Sequence, residues 1–251
     1  MFTVGAIILG IVAAFVVGAS KTGVPGAALV AVPMFAVVFE GRLIPGATLP
    51  VLLVADVFAV AWYRQHTRWD LLRPLATWVA LGFAAGVAFF VIAGDATRTL
   101  EVGIGGIVLL IVLVQLWRLV RGQPHREADT ATAAIYGTGG GFTTFVANAA
   151  GPIINTYLAG LKLPKHELVG TSAWLYLAVN VAKIPLYLAL GEWSDGGRFF
   201  TADSLLYGAI VTPAVVAGVF AGRVLFRRIP QQAFLVVVLV LSAAGALNLL
   251  V

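Results

Sequence analysis

The chain has 251 residues, of which 61 % are hydrophobic and 11 % charged, and it carries a formal net charge of +5. Water-soluble domains have about 25 % charged residues, so this composition excludes an ordinary soluble protein and indicates a helical membrane protein. The lack of cysteine excludes disulfides and thiol chemistry. The sequence has no basic run interleaved with aromatic residues, so the positive charge does not indicate nucleic-acid binding.

Ten apolar stretches follow one another along the chain. They cover residues 2–19, 26–39, 45–63, 74–93, 99–117, 131–147, 152–161, 168–190, 204–222 and 231–250. We predict an all-α polytopic membrane protein with about eight transmembrane helices. The longest polar segment, RGQPHREAD, divides the chain into a first repeat (1–120), a cytoplasmic linker (121–130) and a second repeat (131–251) within one membrane domain.

Basic residues between the stretches predict the orientation. They form four clusters: Arg64, Arg68 and Arg73; Arg118, Arg121 and Arg126; Lys162 and Lys165; and Arg223, Arg227 and Arg228. The loops at 94–101 and 191–203 are acidic instead. Because short cytoplasmic loops are rich in lysine and arginine, the basic loops are placed inside, in a bacterial inner membrane, with both termini periplasmic.

Two breaks between neighbouring stretches predict hairpins that enter the membrane and return. The first break, SKTGVPG (20–26), lies between 2–19 and 26–39, and the second, NAAGPI (148–153), lies between 131–147 and 152–161. At 1.5 Å per residue the return arms 26–39 and 152–161 reach only about 21 and 15 Å, which is short of the roughly 30 Å hydrocarbon core. Each half is then a hairpin followed by three crossings, so the second half is inverted relative to the first.

Short sequence matches between the halves support a duplication. Shifted by 127 residues, Pro25 aligns with Pro152; shifted by 124, Gly46 aligns with Gly170 and Asp56 with Asn180. Inverted repeats with interrupted helices are typical of secondary transporters, whose binding sites lie where the repeats meet. The sequence therefore predicts that the two breaks form one site.

The first break supplies Ser20, Lys21, Thr22, Gly23 and Gly26 as candidate binding residues. A lysine deep in a span costs about 2.5–3.5 kcal/mol, so it usually has a partner or a function. The hydroxyls can donate to an anion, the glycines allow close backbone approach, and the helix after the break presents its positive end. The alternative is that Lys21 extends to a lipid headgroup.

The second break supplies Asn148, in the position of Lys21, and Gly151. Asn148 either presents its amide to a ligand or caps the broken helix. Two helix N-termini and a lysine suit a small anion, whereas a cation site would require acidic residues, and the breaks contain none.

Polar residues deep in the long spans complete the candidate site. Asp56 either couples transport to protons or pairs with Lys21 or Lys183, and pairing is favoured. Lys183 follows Asn180 by three residues, on a neighbouring helix face. Thr171 and Ser172 either cap their helix or line the path, while Trp174 and Tyr176 are interpreted as packing residues.

Other motifs do not predict a cofactor. Gly137, Gly139, Gly140 and Gly141 lack the lysine and hydroxyl of a phosphate-binding loop and indicate close helix packing. The three histidines lack metal-ligand spacing, and no intramembrane protease motif occurs in a span. No metal, cofactor or catalytic residue is therefore expected.

Taken together, the opening span leading into KTGVPG, the short helix after it, the basic loop after 45–63 and the second break NAAGPIINTYLAG resemble the sulfite exporter TauE/SafE family. The resemblance covers essentially the whole chain. It implies eight or so helices in two pseudo-symmetric halves and secondary export of sulfite, sulfoacetate or related anions across the inner membrane. Lys21 as an anion ligand is inferred from the residues themselves.

These observations predict a non-enzymatic anion exporter that works by alternating access, surrounded by lipid, with homo-oligomerisation left open. Two alternatives remain: an uptake permease for the same anions, and a membrane subunit that assembles an enzyme complex without transporting.

Overall fold

A computed structural model describes residues 2–23, 26–94, 96–122, 129–193, 197–225 and 231–251. Within these ranges the chain forms ten α-helices, two 3₁₀ helices and no strand. The helices are α1 (Val4–Thr22), α2 (Ala31–Ala36), α3 (Leu43–Tyr63), α4 (Trp69–Ala93), α5 (Thr97–Arg121), α6 (Thr130–Ala147), α7 (Ala150–Gly160), α8 (Lys165–Trp193), α9 (Ala202–Leu225) and α10 (Gln231–Leu250). The 3₁₀ helices are Ala27–Val30, just before α2, and Arg64–His66, just after α3.

Six of these helices, α1, α3, α4, α5, α8 and α9, are long and apolar enough to cross a membrane. The prediction of an all-helical, multi-pass membrane protein is confirmed. Several helices continue past the apolar stretches that predicted them. With 29 residues, α8 is about 44 Å long, which matches a bilayer with its headgroup layers. Hydropathy detects only the part of such a helix that lies in hydrocarbon.

Glycines bring two pairs of helices into backbone contact: α1 with α9, and α4 with α6. A methyl group at each of these glycines would collide with a carbonyl oxygen of the facing helix. The colliding pairs are Gly18 with Val215, Gly218 with Phe15, Gly82 with Thr138, and Gly141 with Val79. Small residues at a helix crossing allow this approach and add dispersion contacts where lipid offers no hydrophobic driving force.

The glycine-rich segment of α6 therefore acts mainly in packing. Gly137 and Gly141 face α4, and Gly140 faces Ile154 of α7, whereas Gly139 has no atom within 4 Å of an added methyl group. The interpretation of this segment as a packing surface holds for three of its four glycines.

One end of the helix bundle, called here the basic end, carries the basic residues at the described ends of α3, α5 and α9 and at the starts of α4 and α8. The Arg68 guanidinium bridges Asp70 and Glu167 at 2.7 and 3.2 Å, which joins the starts of α4 and α8. Lys165 and Arg223 line one pocket there. Arg126, Arg227 and Arg228 of the predicted clusters, and Asp95 and Asp195 of the acidic loops, lie outside the described residues.

Arg42 joins several chain segments at the opposite end of the bundle, called here the Arg42 end. Its guanidinium donates hydrogen bonds of 2.9–3.3 Å to four carbonyl oxygens at the C-terminal ends of α4 and α8 and in the segment after α8. Those oxygens belong to Phe90, Gly94, Leu190 and Gly197. A cation suits this position because the last carbonyls of a helix lack intrahelical partners.

Buried aromatic rings fill the space beneath Arg42. Phe90, Phe145, Tyr187 and Phe199, called here the aromatic plug, are each at most 1 % exposed. Tyr187 stacks on Phe199 with ring centroids 4.2 Å apart. In this structure the bundle is therefore closed at the Arg42 end.

Candidate functional site

The two predicted breaks meet in the interior. A methyl group on Gly151 would lie 3.5 Å from the Cα of Gly26. Gly26 has φ +93°, a conformation that glycine adopts without strain. Asn148 ends α6 in the left-handed conformation, φ 52°, and its N–H bonds back to the Thr144 carbonyl. Val24 and Pro25 of the first break lie outside the described residues.

A small cavity of about 40 Å³, called here the central cavity, lies where the breaks meet. It takes its walls from α1, the 3₁₀ helix before α2, α3, α6, α7 and α8. Seven of the predicted binding residues line it: Ser20, Lys21, Gly26, Asn148, Gly151, Ser172 and Asn180. Residues more than a hundred positions apart in sequence thus share one wall, as the duplication argument expected.

Lys21 pairs with Asp56 across the cavity wall. Its ammonium lies 2.7 Å from Asp56 Oδ1, with the lysine side chain 9 % exposed and the carboxylate fully buried. The ammonium also lies 4.2 Å from the ring centroid of Tyr176, a cation–π distance. The favoured interpretation of Asp56, a pair with Lys21 or Lys183, thus agrees with the structure, and its partner is Lys21.

Lys183 is fully buried beneath the cavity and uses all three of its N–H donors. They reach Asn148 Oδ1 at 2.6 Å, Asn180 Oδ1 at 2.8 Å and Thr144 Oγ1 at 2.9 Å. The Asn180 amide in turn donates to Asp56 Oδ2 at 2.6 Å. A continuous polar chain therefore runs from Lys21 through Asp56, Asn180 and Lys183 to Asn148.

Among the described lining residues of the central cavity, Lys21 is the only one with a charged side chain. Its partner Asp56 is fully buried behind the lining and does not face the cavity. The charged group that the cavity presents is therefore an ammonium, which favours an anion as its occupant.

The backbone adds to this preference at the start of α7. This helix of 11 residues begins at Ala150 without a side-chain cap, and Ala149, Ala150 and Gly151 line the cavity. Its first N–H groups are therefore available to an anion, and the helix dipole adds positive potential there. The 3₁₀ helix after the first break has only four residues, and its Ala28 N–H already donates to Ser20 Oγ at 3.0 Å. The predicted contribution of two helix ends thus falls mainly on α7.

The remaining predicted residues lie elsewhere. The Thr22 hydroxyl donates to the Val219 carbonyl at 2.8 Å, which fastens α1 to α9. The Thr171 hydroxyl accepts from the Arg68 N–H at 3.0 Å. Gly23 lies on a second cavity at the basic end. Asp56 and Lys183 support the lining residues rather than lining the cavity themselves.

Sequence reasoning missed three polar residues of the cavity wall: Thr144, Asn155 and Tyr176. The Tyr176 hydroxyl donates to Asn155 Oδ1 at 3.0 Å. Each lies one helical turn from a residue that was predicted, because Thr144 precedes Asn148 by four, Asn155 follows Gly151 by four and Tyr176 precedes Asn180 by four. Spacing of four on a helix places residues on one face and was the available signal.

The described residues contain no group of three or more histidine and acidic side chains that could hold a metal ion. The rings of His66 and His166 do approach each other, with centroids 4.7 Å apart, although their sequence spacing gave no indication of it.

Comparison with known protein families places the chain near one described by its transport function. The model of the family described as sulfite exporter TauE/SafE matches residues 6–249, nearly the whole chain. No curated protein and no solved structure matches the chain.

Proposed function

The chain belongs to the sulfite exporter TauE/SafE family, and from this premise we propose that it is a secondary transporter that exports sulfite or a related sulfur oxyanion or organosulfonate. Membership of the family supports membrane anion transport. The choice of anion, the outward direction and alternating access are our proposal.

The observation that carries the proposal is the charged polar chain beside the central cavity. Lys21 lines the cavity, and the chain behind it contains one carboxylate, Asp56, and a second lysine, Lys183. We assign Lys21 and the first N–H groups of α7 to direct contact with the anion. The Asn148 and Asn180 amides donate one N–H each to Pro45 and Asp56, and their second N–H groups would complete the hydrogen bonds of the anion. The Ser172 hydroxyl would join them by leaving the Val169 carbonyl, and Gly26 and Gly151 would let the backbone come close.

The size of the cavity favours a compact substrate. About 40 Å³ holds only a few water molecules. An inorganic oxyanion such as sulfite requires little widening of the central cavity. An organosulfonate with a carbon chain requires the helices after the two breaks, the 3₁₀ helix with α2 and α7, to separate. We therefore place sulfite ahead of sulfoacetate.

Helix packing supports two inverted halves. If α1 to α5 correspond to α6 to α10, then α1 on α9 corresponds to α6 on α4, and both pairs use glycine contacts. Gly46 of α3 and Gly170 of α8 make a second matching pair of contacts. A methyl group on Gly46 would collide with the carbonyl oxygen of Phe199, in the segment between α8 and α9. A methyl group on Gly170 would lie 2.6 Å from the carbonyl oxygen of Tyr63, the last residue of α3. In such an arrangement one half rocks against the other around a fixed site.

The charge distribution supports the orientation that we propose. The basic end faces the cytoplasm of a bacterial inner membrane, and both termini and the Arg42 end face the periplasm. The closed aromatic plug then makes this structure one that is shut towards the periplasm.

The test is flux of radiolabelled sulfite in proteoliposomes of defined orientation. We expect saturable flux from the basic end to the Arg42 end, abolished in Lys21→Met and retained in Lys162→Met. Lys162 is an exposed lysine in the α7–α8 connection, so the control makes the same chemical change away from the cavity. Flux only in the opposite direction would indicate an uptake permease. Absence of flux for all anions tried would favour a non-transporting subunit, and normal flux in Lys21→Met would refute the site.

A further inference from the structure

A second cavity, called here the basic vestibule, opens at the basic end and has a volume of about 340 Å³. Its lining residues are Thr22, Gly23, Tyr63, Lys165, His166, Val169, Gly222 and Arg223. It therefore brings together the end of α1, the end of α3, the start of α8 and the last turns of α9.

The lining of the vestibule carries basic groups without an acidic one. Lys165, His166 and Arg223 contribute to it, and no carboxylate belongs to its lining among the described residues. The Arg223 guanidinium lies 4.9 Å from the ring centroid of Trp62, which steadies it by a cation–π contact. A concave site of one charge sign concentrates ions of the opposite sign.

The vestibule is separated from the central cavity by a thin wall. Val169 lines both spaces. The end of α1 divides between them as well, because Ser20 and Lys21 face the central cavity while Thr22 and Gly23 face the vestibule. Thr22, which lines the vestibule, thus follows directly in the chain after Lys21, the residue that we assign to the transported anion.

We propose that the basic vestibule is a second anion-binding site, which collects the oxyanion at the basic end and passes it over Val169 into the central cavity. This inference rests on the proposed function. The ligand chemistry is a small oxyanion group held by ammonium, imidazole and guanidinium donors. A lipid phosphate has the same chemistry, but the wall shared with the central cavity favours the free substrate.

The first test counts bound anions. Equilibrium binding of ³⁵S-sulfite is measured on the full chain in nanodiscs of neutral lipid and in nanodiscs that contain phosphatidylglycerol. We expect two sites per chain in both. We expect one site in the Lys165→Gln/Arg223→Gln variant, and one in the Lys21→Met/Asp56→Asn variant, which removes the central ammonium together with its partner.

The outcomes separate the two proposals. One site in the wild type, lost in the Lys21→Met/Asp56→Asn variant, would overturn the vestibule and leave the proposed function intact. Two sites in neutral lipid but one with phosphatidylglycerol would make a lipid headgroup the occupant and overturn delivery of the free anion. No binding to the wild type would overturn both.

The second test is kinetic. Since the vestibule acts before the central site, Lys165→Gln/Arg223→Gln should raise KM for flux from the basic end about 3- to 10-fold at low ionic strength, with little change in the saturating rate. The effect should shrink near 0.3 M salt, where charges are screened. Arg64→Gln is the control, an exposed arginine of the same end outside the vestibule lining. An unchanged KM, or an equal rise in the control, would contradict the proposal.

Discussion

The buried pair of Lys21 and Asp56 predicts an unusual pattern of mutant stabilities. At 2.7 Å and an effective dielectric constant of 20, two unit charges attract by about 6 kcal/mol, much of which offsets the cost of burying them. Removing one partner leaves the other charge buried and typically costs 3–5 kcal/mol. Both single variants, Lys21→Met and Asp56→Asn, should therefore be clearly destabilised.

The two variants leave different groups behind. Lys21→Met leaves Asp56 fully buried, with the Asn180 amide as its remaining hydrogen-bond donor. Asp56→Asn leaves Lys21, which is 9 % exposed, and the buried Lys183 without a carboxylate. We expect about 3–5 kcal/mol for each single variant. The double variant removes both charges of the pair, while Lys183 keeps its three oxygen acceptors, so it should be more stable than either single variant.

The assay is thermal unfolding of purified protein in neutral-lipid nanodiscs, followed by tryptophan fluorescence. For a chain of this size 1 kcal/mol corresponds to roughly 2–4 °C, so Lys21→Met should lower Tm by roughly 10 °C or more. Lys162→Met provides the control for the chemical change. The double variant should fold and yet show no sulfite flux, which separates stability from transport.

Additive effects of the two substitutions, with a coupling below about 0.5 kcal/mol, would refute the buried pair. Normal flux in the folded double variant would show instead that the pair is structural and that the anion binds elsewhere.

Three further predictions concern the scaffold. Gly46→Ala should prevent folding or cost several kcal/mol in thermal unfolding, because the added methyl group would collide with the Phe199 carbonyl. Gly106→Ala is the control: no atom lies within 4 Å of its added methyl group, so it should be neutral or stabilising by up to about 1 kcal/mol. Arg42→Gln should cost at least about 3 kcal/mol, since four carbonyl oxygens lose a charged donor, and should increase hydrogen exchange at the ends of α4 and α8. Asp129 caps α6 by accepting a 2.6 Å hydrogen bond from the Thr132 backbone N–H, which holds the Asp129 pKa below its ordinary value of 3.8. Its contribution to stability is therefore complete above 3.8 and lost as pH falls through the lowered pKa. Asp129→Ala should speed hydrogen exchange in the first turn of α6 at neutral pH and remove the acid dependence of that exchange.

The sequence was sufficient for the helices and for the two breaks, because both depend on local chemistry. Long apolar runs require backbone hydrogen bonds to be satisfied within a helix, and glycine with proline interrupts them. The duplication argument predicted that the two breaks meet, as Gly26 and Gly151 do. The sequence did not predict which lysine pairs with Asp56, because the choice between Lys21 and Lys183 depends on how α1 is rotated against α3. The rotation of α1 about its own axis is set by its backbone contacts with α9, such as Gly18 with Val215, which the sequence does not reveal.

Arg42 shows a different reason for a missed residue. In the sequence it belongs to Glu40-Gly41-Arg42, which reads as a polar turn that ends a span. In the structure it is only 3 % exposed, because helix ends distant in sequence place their unpaired carbonyls around it. Local composition cannot reveal this burial, since the acceptors are 48 to 155 residues away.

The geometry of the polar chain links anion binding to the movement required by the proposed mechanism. Asp56 belongs to α3 and Asn180 to α8, 124 residues apart, and their hydrogen bond joins the two proposed halves at the centre of the protein. Asp56 also holds Lys21, the residue assigned to the anion. An anion that takes over the Lys21 ammonium therefore competes with Asp56 and changes the charge on the contact between the halves. The glycine contacts match between the proposed halves, but the lysines do not, because Lys21 comes from the first break and Lys183 from α8. In the mechanism that we propose, the matched packing lets one half move against the other, and the unequal charges make that movement depend on whether an anion is bound.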